Sequence, residues 1–150
     1  MRAIRSLFLF ALALQLAGCD TGAIAGPAEL HGSWVFTPGG GTDSEHRLEF
    51  GPGGGFRAST EFYTDAGELV EYTRVAGRYR VEGDRLFVLR VREERWAKHA
   101  AEPRRVVERA FPPKWAEVAT VRVEGDRLAY SFVSAPLDVP ETFTWIYRRR

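Results

Sequence analysis

Few residues of this 150-residue chain could carry chemistry, and they lie far apart in the sequence. The histidines and the single cysteine are His31, His46, His99 and Cys19. A metal site could form only around His46, which has Asp43 and Glu45 nearby. Zinc needs several well-placed ligands, and a glycine-rich loop with one histidine is a poor ligand set. We therefore predict a solvated loop here and no metal site.

The carboxylates and the glycine-rich loops also lack the context that catalysis needs. Asp65 and Glu68 flank a turn glycine, where acidic residues commonly favour turns and solubility. Paired catalytic carboxylates need a shared pocket, and no two can be placed in one from the sequence. The loops at 38–44 and 51–55 do not lead into the strand–turn–helix unit of a nucleotide-binding site. We predict no enzymatic role and no cofactor.

Cys19 follows a segment with the features of a signal peptide. Arg2 and Arg5 precede an almost wholly apolar run at 6–17. This run is shorter than the roughly 20 residues of a membrane-spanning helix. Leu16-Ala17-Gly18-Cys19 then resembles the lipobox of bacterial lipoproteins. The alternative is an ordinary secretory signal whose apolar core contains a thiol.

The lipobox resemblance implies a processed and anchored protein. Residues 1–18 would be the signal peptide, 19–28 a lipidated N-terminus with a short tether, and 29–150 the folded domain. Palmitate or a similar chain on Cys19 would hold the protein at a membrane of the bacterial cell envelope without spanning it. The resemblance leaves open which membrane this is.

Charge and composition exclude some partners and permit a single packed domain. Removal of 1–18 deletes two arginines, so the formal net charge changes from +1 to −1. This balance gives no electrostatic basis for nucleic-acid binding. Hydrophobic residues make up 45% of the chain and aromatic residues 13%, which is enough for a core without disulfides.

The elements that must position any site are β-hairpins. The hexapeptide Val-Glu-Gly-Asp-Arg-Leu occurs at 81–86 and again at 123–128. Each copy joins an alternating run to a run rich in β-formers through a Gly-Asp turn, which is typical of a hairpin. In the second copy this turn predicts Val123 opposite Leu128, with both side chains on the buried face.

The remaining runs extend this pattern over most of the chain. Counting them predicts about eight strands, at 31–36, 47–50, 56–62, 69–82, 86–91, 118–124, 128–132 and 142–147. Sequential antiparallel strands with glycine-rich turns favour an all-β fold, either an up-and-down barrel or a sandwich. Closure into a barrel is favoured because it removes unpaired edges. Gly77, inside a long run, predicts a bulge or sharp bend.

One region departs from the β pattern. Residues 93–101 are rich in helix formers and stop before Pro103. We therefore predict a short helical or irregular segment near 93–116. Trp96 on this segment would cover the outer face of Phe87 and Leu89.

Three motifs resemble those of bacterial lipocalin-like domains. Leu30-His31-Gly32-Ser33-Trp34 resembles their Leu-x-Gly-x-Trp opening. Gly77-Arg78-Tyr79, followed by the hexapeptide at 81–86, resembles the G-x-Y … G-D-x-L hairpin of those domains, and 143–148 resembles their closing strand. The resemblance implies a barrel of roughly eight strands with an apolar interior, and the chain departs from it at 93–116.

The inward aromatic side chains either fill such a barrel or line a cavity in it. The candidate lining residues are Trp34, Phe36, Phe56, Phe62, Tyr79, Phe132, Trp145 and Tyr147. Barrels of about eight strands are either filled by side chains or hold one small ligand. The first hypothesis is thus a binding module for a small apolar ligand. The second is a structural or interaction protein of the envelope, with a filled core and a protein partner near Trp96 and Trp115.

Overall fold

The computed structural model describes residues 26–39, 43–98, 106–134 and 140–150, and these are almost entirely β-structure. Within these ranges, a single 3-10 turn, Ala28–Leu30, precedes nine strands. The strands are β1 (Gly32–Phe36), β2 (Ser44–Phe50), β3 (Gly55–Tyr63), β4 (Leu69–Glu82), β5 (Arg85–Ala97), β6 (Val107–Ala110), β7 (Trp115–Glu124), β8 (Arg127–Ser134) and β9 (Glu141–Arg149). No helix in the described ranges is long and apolar enough to cross a bilayer.

Eight of the strands close into an antiparallel barrel. Hydrogen bonding runs in the order β4-β3-β2-β1-β9-β8-β7-β5, and pairing of β4 with β5 completes the ring. Strand β6 pairs with the far part of β5, beyond the part that pairs with β7. The predicted all-β barrel of about eight strands is confirmed, and its architecture is consistent with a lipocalin-like barrel.

Both copies of the repeated hexapeptide form the predicted hairpin turn. Glu82 pairs with Arg85 across the first turn, and Val123 pairs with Leu128 beside the second. Gly83 and Gly125 have φ of 65° and 63°, while the aspartate after each has no positive φ. Positive φ at only the first turn residue is the pattern of a type II′ turn.

Gly77 lies where the barrel wall bends. The register of β4 with β5 shifts between Ala76 and Gly77, so Val91 is an extra residue on β5. A Cβ atom on Gly77 would lie 2.0 Å from the carbonyl oxygen of Leu89. Because that distance is far below van der Waals contact, only glycine permits this approach, and the predicted bulge is confirmed.

The helix predicted from residue 93 is not formed at 93–97, where β5 continues to Ala97. Strand β4 has 14 residues, and its backbone groups would lose their partners if β5 ended earlier. This pairing overrides the helix propensity of the segment. Residues 107–110 are also a strand, 111–114 are irregular, and 99–105 lie outside the described residues.

Trp96 has a different neighbour from the predicted one. Its ring stacks on Tyr72 of β4, with centroids 5.7 Å apart, and only 6% of the residue is exposed. The two residues are directly opposite each other in the β4–β5 register. Trp96 therefore covers a cross-strand neighbour on the outer face.

One end of the barrel is closed by the residues that precede β1. Leu30 and Trp34 are fully buried, and the indole N–H of Trp34 donates to the Leu30 carbonyl at 2.8 Å. The Arg149 guanidinium lies 4.3 Å from the Trp34 ring and donates to the carbonyls of His31, at 2.8 Å, and Glu29. We call this the closed end and the opposite one the open end.

The hydrophobic core fills the half of the barrel next to the closed end. Its buried members are Leu30, Trp34, Leu48, Phe50, Phe56, Tyr79, Leu86, Val88, Val121, Leu128 and Tyr147. The turns at 83–84 and 125–126 lie at this end, since Arg149 donates from its backbone to Asp126 and Val121 to Asp84. The core is therefore a packed floor beneath the open half.

Candidate functional site

The eight aromatic residues proposed as cavity lining divide into two groups by depth. Four are buried in the packed floor and cannot line an accessible cavity: Trp34, Phe56, Tyr79 and Tyr147. Phe36 and Trp145 are partly buried against that floor, and Phe62 is 40% exposed near the open end. Phe132 lies further along β8 than Tyr130, beside Phe143 of β9. The structure thus brings three of the eight, Phe36, Phe132 and Trp145, into one surface above the floor.

That surface is an aromatic wall across β1, β9 and β8. We define the aromatic wall as Phe36, Tyr130, Phe132, Phe143 and Trp145. Phe36 stacks on Trp145 at 5.0 Å between centroids, and Phe132 meets Trp145 edge-on at 4.9 Å. Phe143 continues the wall 5.9 Å from Phe132 and is 39% exposed. The wall therefore runs from the packed floor to solvent at the open end.

Tyr130 and Phe143 join the wall through strand register. Tyr130 lies opposite Trp145, and Phe132 lies opposite Phe143. Burial raises the pKa of Tyr130 to about 12, and the nearby positive charge of Arg90 acts in the opposite direction. The alternation of side chains along β8 and β9 could have identified Tyr130 and Phe143 as lining residues. Tyr130 shares a face with Phe132, and Phe143 shares a face with Trp145, and both of these were candidate lining residues.

His46 belongs to the interior, not to a loop. It lies within β2, opposite Phe36 on one side and Thr60 on the other. Its ring is 4.6 Å from that of Trp145, and its Nδ1 is 3.0 Å from the Thr60 hydroxyl oxygen. Burial lowers the pKa of His46, so the neutral imidazole is favoured near neutral pH. The predicted solvated loop is wrong at this residue, because β2 begins at Ser44.

Among the residues that the structure describes, no group of His, Cys, Asp and Glu side chains is arranged to hold a metal ion. His46 instead contributes one polar position beside the aromatic wall. Its ring can donate or accept a hydrogen bond there, depending on the tautomer.

A charged surface lies on β5 and β6, on the other side of the interior. Glu93 is only 6% exposed and is paired with Arg95, whose Nε lies 2.7 Å from Glu93 Oε1. Arg109 of β6 lies directly opposite Glu93. The sequence analysis missed this arrangement because it predicted a helix at 93–101. Successive side chains point to opposite faces only in a strand, and that alternation is what places Glu93 on the inner face.

The barrel wall has a gap in its strand pairing near the open end. Pairing of β7 with β8 ends at Thr120 and Ser131, whereas β8 remains paired with β9 as far as Ser134. Within the described ranges, β6 pairs with β5 alone. Val133 and Val107, on the two sides of this gap, are 60% and 54% exposed. Within the described ranges, the end of β8 therefore has a strand partner only on its β9 side.

A second concave region lies on the outer face of β2 to β5, with a volume of about 400 Å³. Its lining arginines include Arg57 and Arg74. These are paired with Glu49 at 3.7 Å and Glu61 at 3.2 Å. Because the charges of this groove largely neutralise one another, it is a weaker candidate than the open half of the barrel.

Comparison of the chain with protein-family models, with curated proteins and with solved structures gives no match.

Proposed function

We propose that this protein is a lipid-anchored lipoprotein of the bacterial envelope whose barrel binds a small apolar ligand, without a catalytic role. The observation that supports binding most directly is the aromatic wall, which continues from the packed floor to an exposed rim. Aromatic contacts contribute roughly 0.5–1.5 kcal/mol each beyond the burial of their surface. An aromatic molecule placed against Trp145 and Phe132 would gain such contacts, and an aliphatic one would gain burial of its apolar surface.

The position of the N-terminus fits an anchor at Cys19. The described chain starts at Gly26, next to the 3-10 turn that covers the closed end. Residues 19–26 can reach at most about 25 Å when fully extended. A lipid on Cys19 would therefore hold the closed end near the bilayer and leave the open end accessible.

The anchor is tested by the substitution Cys19→Ala. We expect the natural chain in the membrane fraction, labelled by radioactive palmitate, and the Cys19→Ala chain in the soluble fraction without label. Ser6→Ala, in the same signal segment, is the control and should leave both results unchanged. A Cys19→Ala chain that stays in the membrane fraction would contradict the lipid anchor.

Ligand binding is tested with the neutral dye N-phenyl-1-naphthylamine on the Cys19→Ala chain. We expect a saturable rise in fluorescence with one dye per chain. Trp145→Ala should weaken binding at least about tenfold, which corresponds to about 1.4 kcal/mol.

Trp115→Ala is the matched control, because Trp115 faces outward opposite Leu89 and lies beneath the Arg80 guanidinium. This variant should bind the dye as the parent does. Absence of saturable binding would favour the alternative, a structural or interaction protein of the envelope with a filled core and a protein partner.

A further inference from the structure

We propose that the ligand of the open half carries a negatively charged group in addition to its apolar body, and that Arg90 and Arg109 bind this group. The inference rests on the proposed function, since it specifies the chemical class of the ligand at the same site. The ligand would be a small anionic amphiphile with a carboxylate, sulfonate or phosphate at one end.

Strand register directs Arg90 into the barrel. Val88 lies opposite Tyr79, and both are buried in the packed floor. Arg90 is two residues further along β5, opposite Gly77, so alternation places it on the same inner face. It is therefore the first residue of β5 above the floor that faces the open half.

Strand register also places Arg109 on the inner face, beyond the bulge. Glu93 faces inward, since it lies opposite Val75, which in turn lies opposite Ala58 of the inner face. Arg109 lies directly opposite Glu93 and shares its face. Both Arg90 and Arg109 are exposed to solvent, as a residue that lines an open cavity would be.

The charges on this inner surface are not balanced. Arg90, Arg95 and Arg109 face inward with only Glu93 among them, an excess of two positive charges. Arg95 neutralises Glu93 through the contact at 2.7 Å. Neither Arg90 nor Arg109 has an ion pair within the described ranges.

Two further carboxylates lie on the inner face, but at the rim. Glu71 is opposite Ala97, and Glu141 is opposite Ser134, at the ends of their strands. Both are exposed, so water and salt screen their charge. They weaken the positive potential at the rim without neutralising the arginines deeper inside.

Arg90 also links the charged surface to the aromatic wall. Burial raises the pKa of Tyr130, a member of that wall, and the positive charge of Arg90 acts on the same phenol in the opposite direction, with the smaller effect. An anion bound by Arg90 would thus lie beside the rings that contact the ligand body. The planar guanidinium donates paired hydrogen bonds to carboxylate, sulfonate or phosphate, which makes arginine well suited to this group.

The test compares two dyes that share the same rings on the Cys19→Ala chain. 1-Anilinonaphthalene-8-sulfonate carries a sulfonate, and N-phenyl-1-naphthylamine lacks it. We expect the sulfonated dye to bind at least about tenfold more tightly at low salt, as a charge-assisted hydrogen bond would produce. The double variant Arg90→Gln/Arg109→Gln should remove this difference and leave the affinity for the neutral dye unchanged.

Two further double variants control the test. Arg122→Gln/Arg148→Gln removes the same charge from the outer face, where Arg122 pairs with Glu124, and should preserve the difference between the dyes. Arg90→Lys/Arg109→Lys keeps the charge, and its affinity for the sulfonated dye should stay within about threefold of the parent.

The outcomes separate the two proposals. Equal affinity for both dyes, or an equal loss in the inner and outer glutamine variants, would overturn the anionic ligand and leave the binding function intact. If neither dye binds in a saturable manner, the binding function itself fails. Circular dichroism of each variant confirms the β-structure. If the double glutamine variant does not fold, the single variants Arg90→Gln and Arg109→Gln keep the test decisive, because each should reduce the difference between the dyes.

Discussion

Single residues decide how closely the strands of this barrel approach one another. Gly77 allows β5 to pass at a distance that no side chain permits, and the extra residue Val91 bends the strand there. The bend lies just above the packed floor, since Tyr79 is buried two residues further along β4. It therefore marks the boundary between the filled half and the open half.

Gly77→Ala tests this boundary. The new methyl group would meet the Leu89 carbonyl, a backbone atom that cannot rotate away. We expect a loss of about 3 kcal/mol in the free energy of unfolding, the upper part of the usual cost of overpacking. Urea denaturation measures the effect. Gly53→Ala, where a Cβ atom would meet nothing within 4 Å, is the control and should change stability little.

At the scale of elements, the two copies of the hexapeptide act as matched hairpins at the closed end. Both turns place glycine at positive φ, and a Cβ atom on either glycine would meet nothing within 4 Å. Their surroundings differ, because Arg85 beside the first turn pairs with Glu117, whereas Arg127 beside the second lies opposite Arg148. The local turn is thus the same in two different tertiary settings.

Gly83→Ala and Gly125→Ala should therefore destabilise the protein equally. The cost comes only from holding alanine at a positive φ that L-residues rarely adopt, about 1–3 kcal/mol for each variant. Thermal denaturation of the two single variants measures it. Unequal losses would show that the tertiary setting, rather than the backbone conformation, determines what these turns contribute.

At the scale of the whole molecule, folding of the barrel either buries each tyrosine or gives its hydroxyl group a carboxylate to donate to. The five tyrosines, all with a raised pKa, are Tyr63, Tyr72, Tyr79, Tyr130 and Tyr147. Tyr63 and Tyr72 donate to the carboxylates of Glu61 and Glu94, each at 2.6 Å, while burial is the cause for the other three. The folded chain therefore holds phenolic protons that the unfolded chain releases.

Alkaline titration checks this property. In the unfolded chain tyrosine ionises near a pKa of about 10, so the stabilising effect is complete below that pH and is lost as the pH rises towards about 12. We expect absorbance at 295 nm to show much less tyrosinate in the native protein than in the urea-unfolded protein at about pH 10.5. Coincident titration curves, with circular dichroism still showing folded protein, would contradict the burial described here.

The local parts of this fold could be predicted from the amino-acid pattern alone. The Gly-Asp turns fix the two hairpins because their backbone needs are met within a few residues, and the alternation around them sets which face is buried. Gly77 predicted the bulge because a glycine inside a long strand is a local sign of a bulge or bend. The pattern also identified the inward aromatic residues, since a side chain's face depends only on its place in the strand.

The depth of each side chain in the barrel, and the partner of each strand, depend on contacts between distant parts of the chain. Trp34 and Trp145 both face inward, yet one is sealed in the floor and the other belongs to the aromatic wall, because height in a barrel depends on how distant strands are staggered. Residues 93–97 have helix-forming side chains, but β4 requires a partner there and makes them a strand. That pairing brings Arg109 opposite Glu93, a juxtaposition that no local pattern encodes.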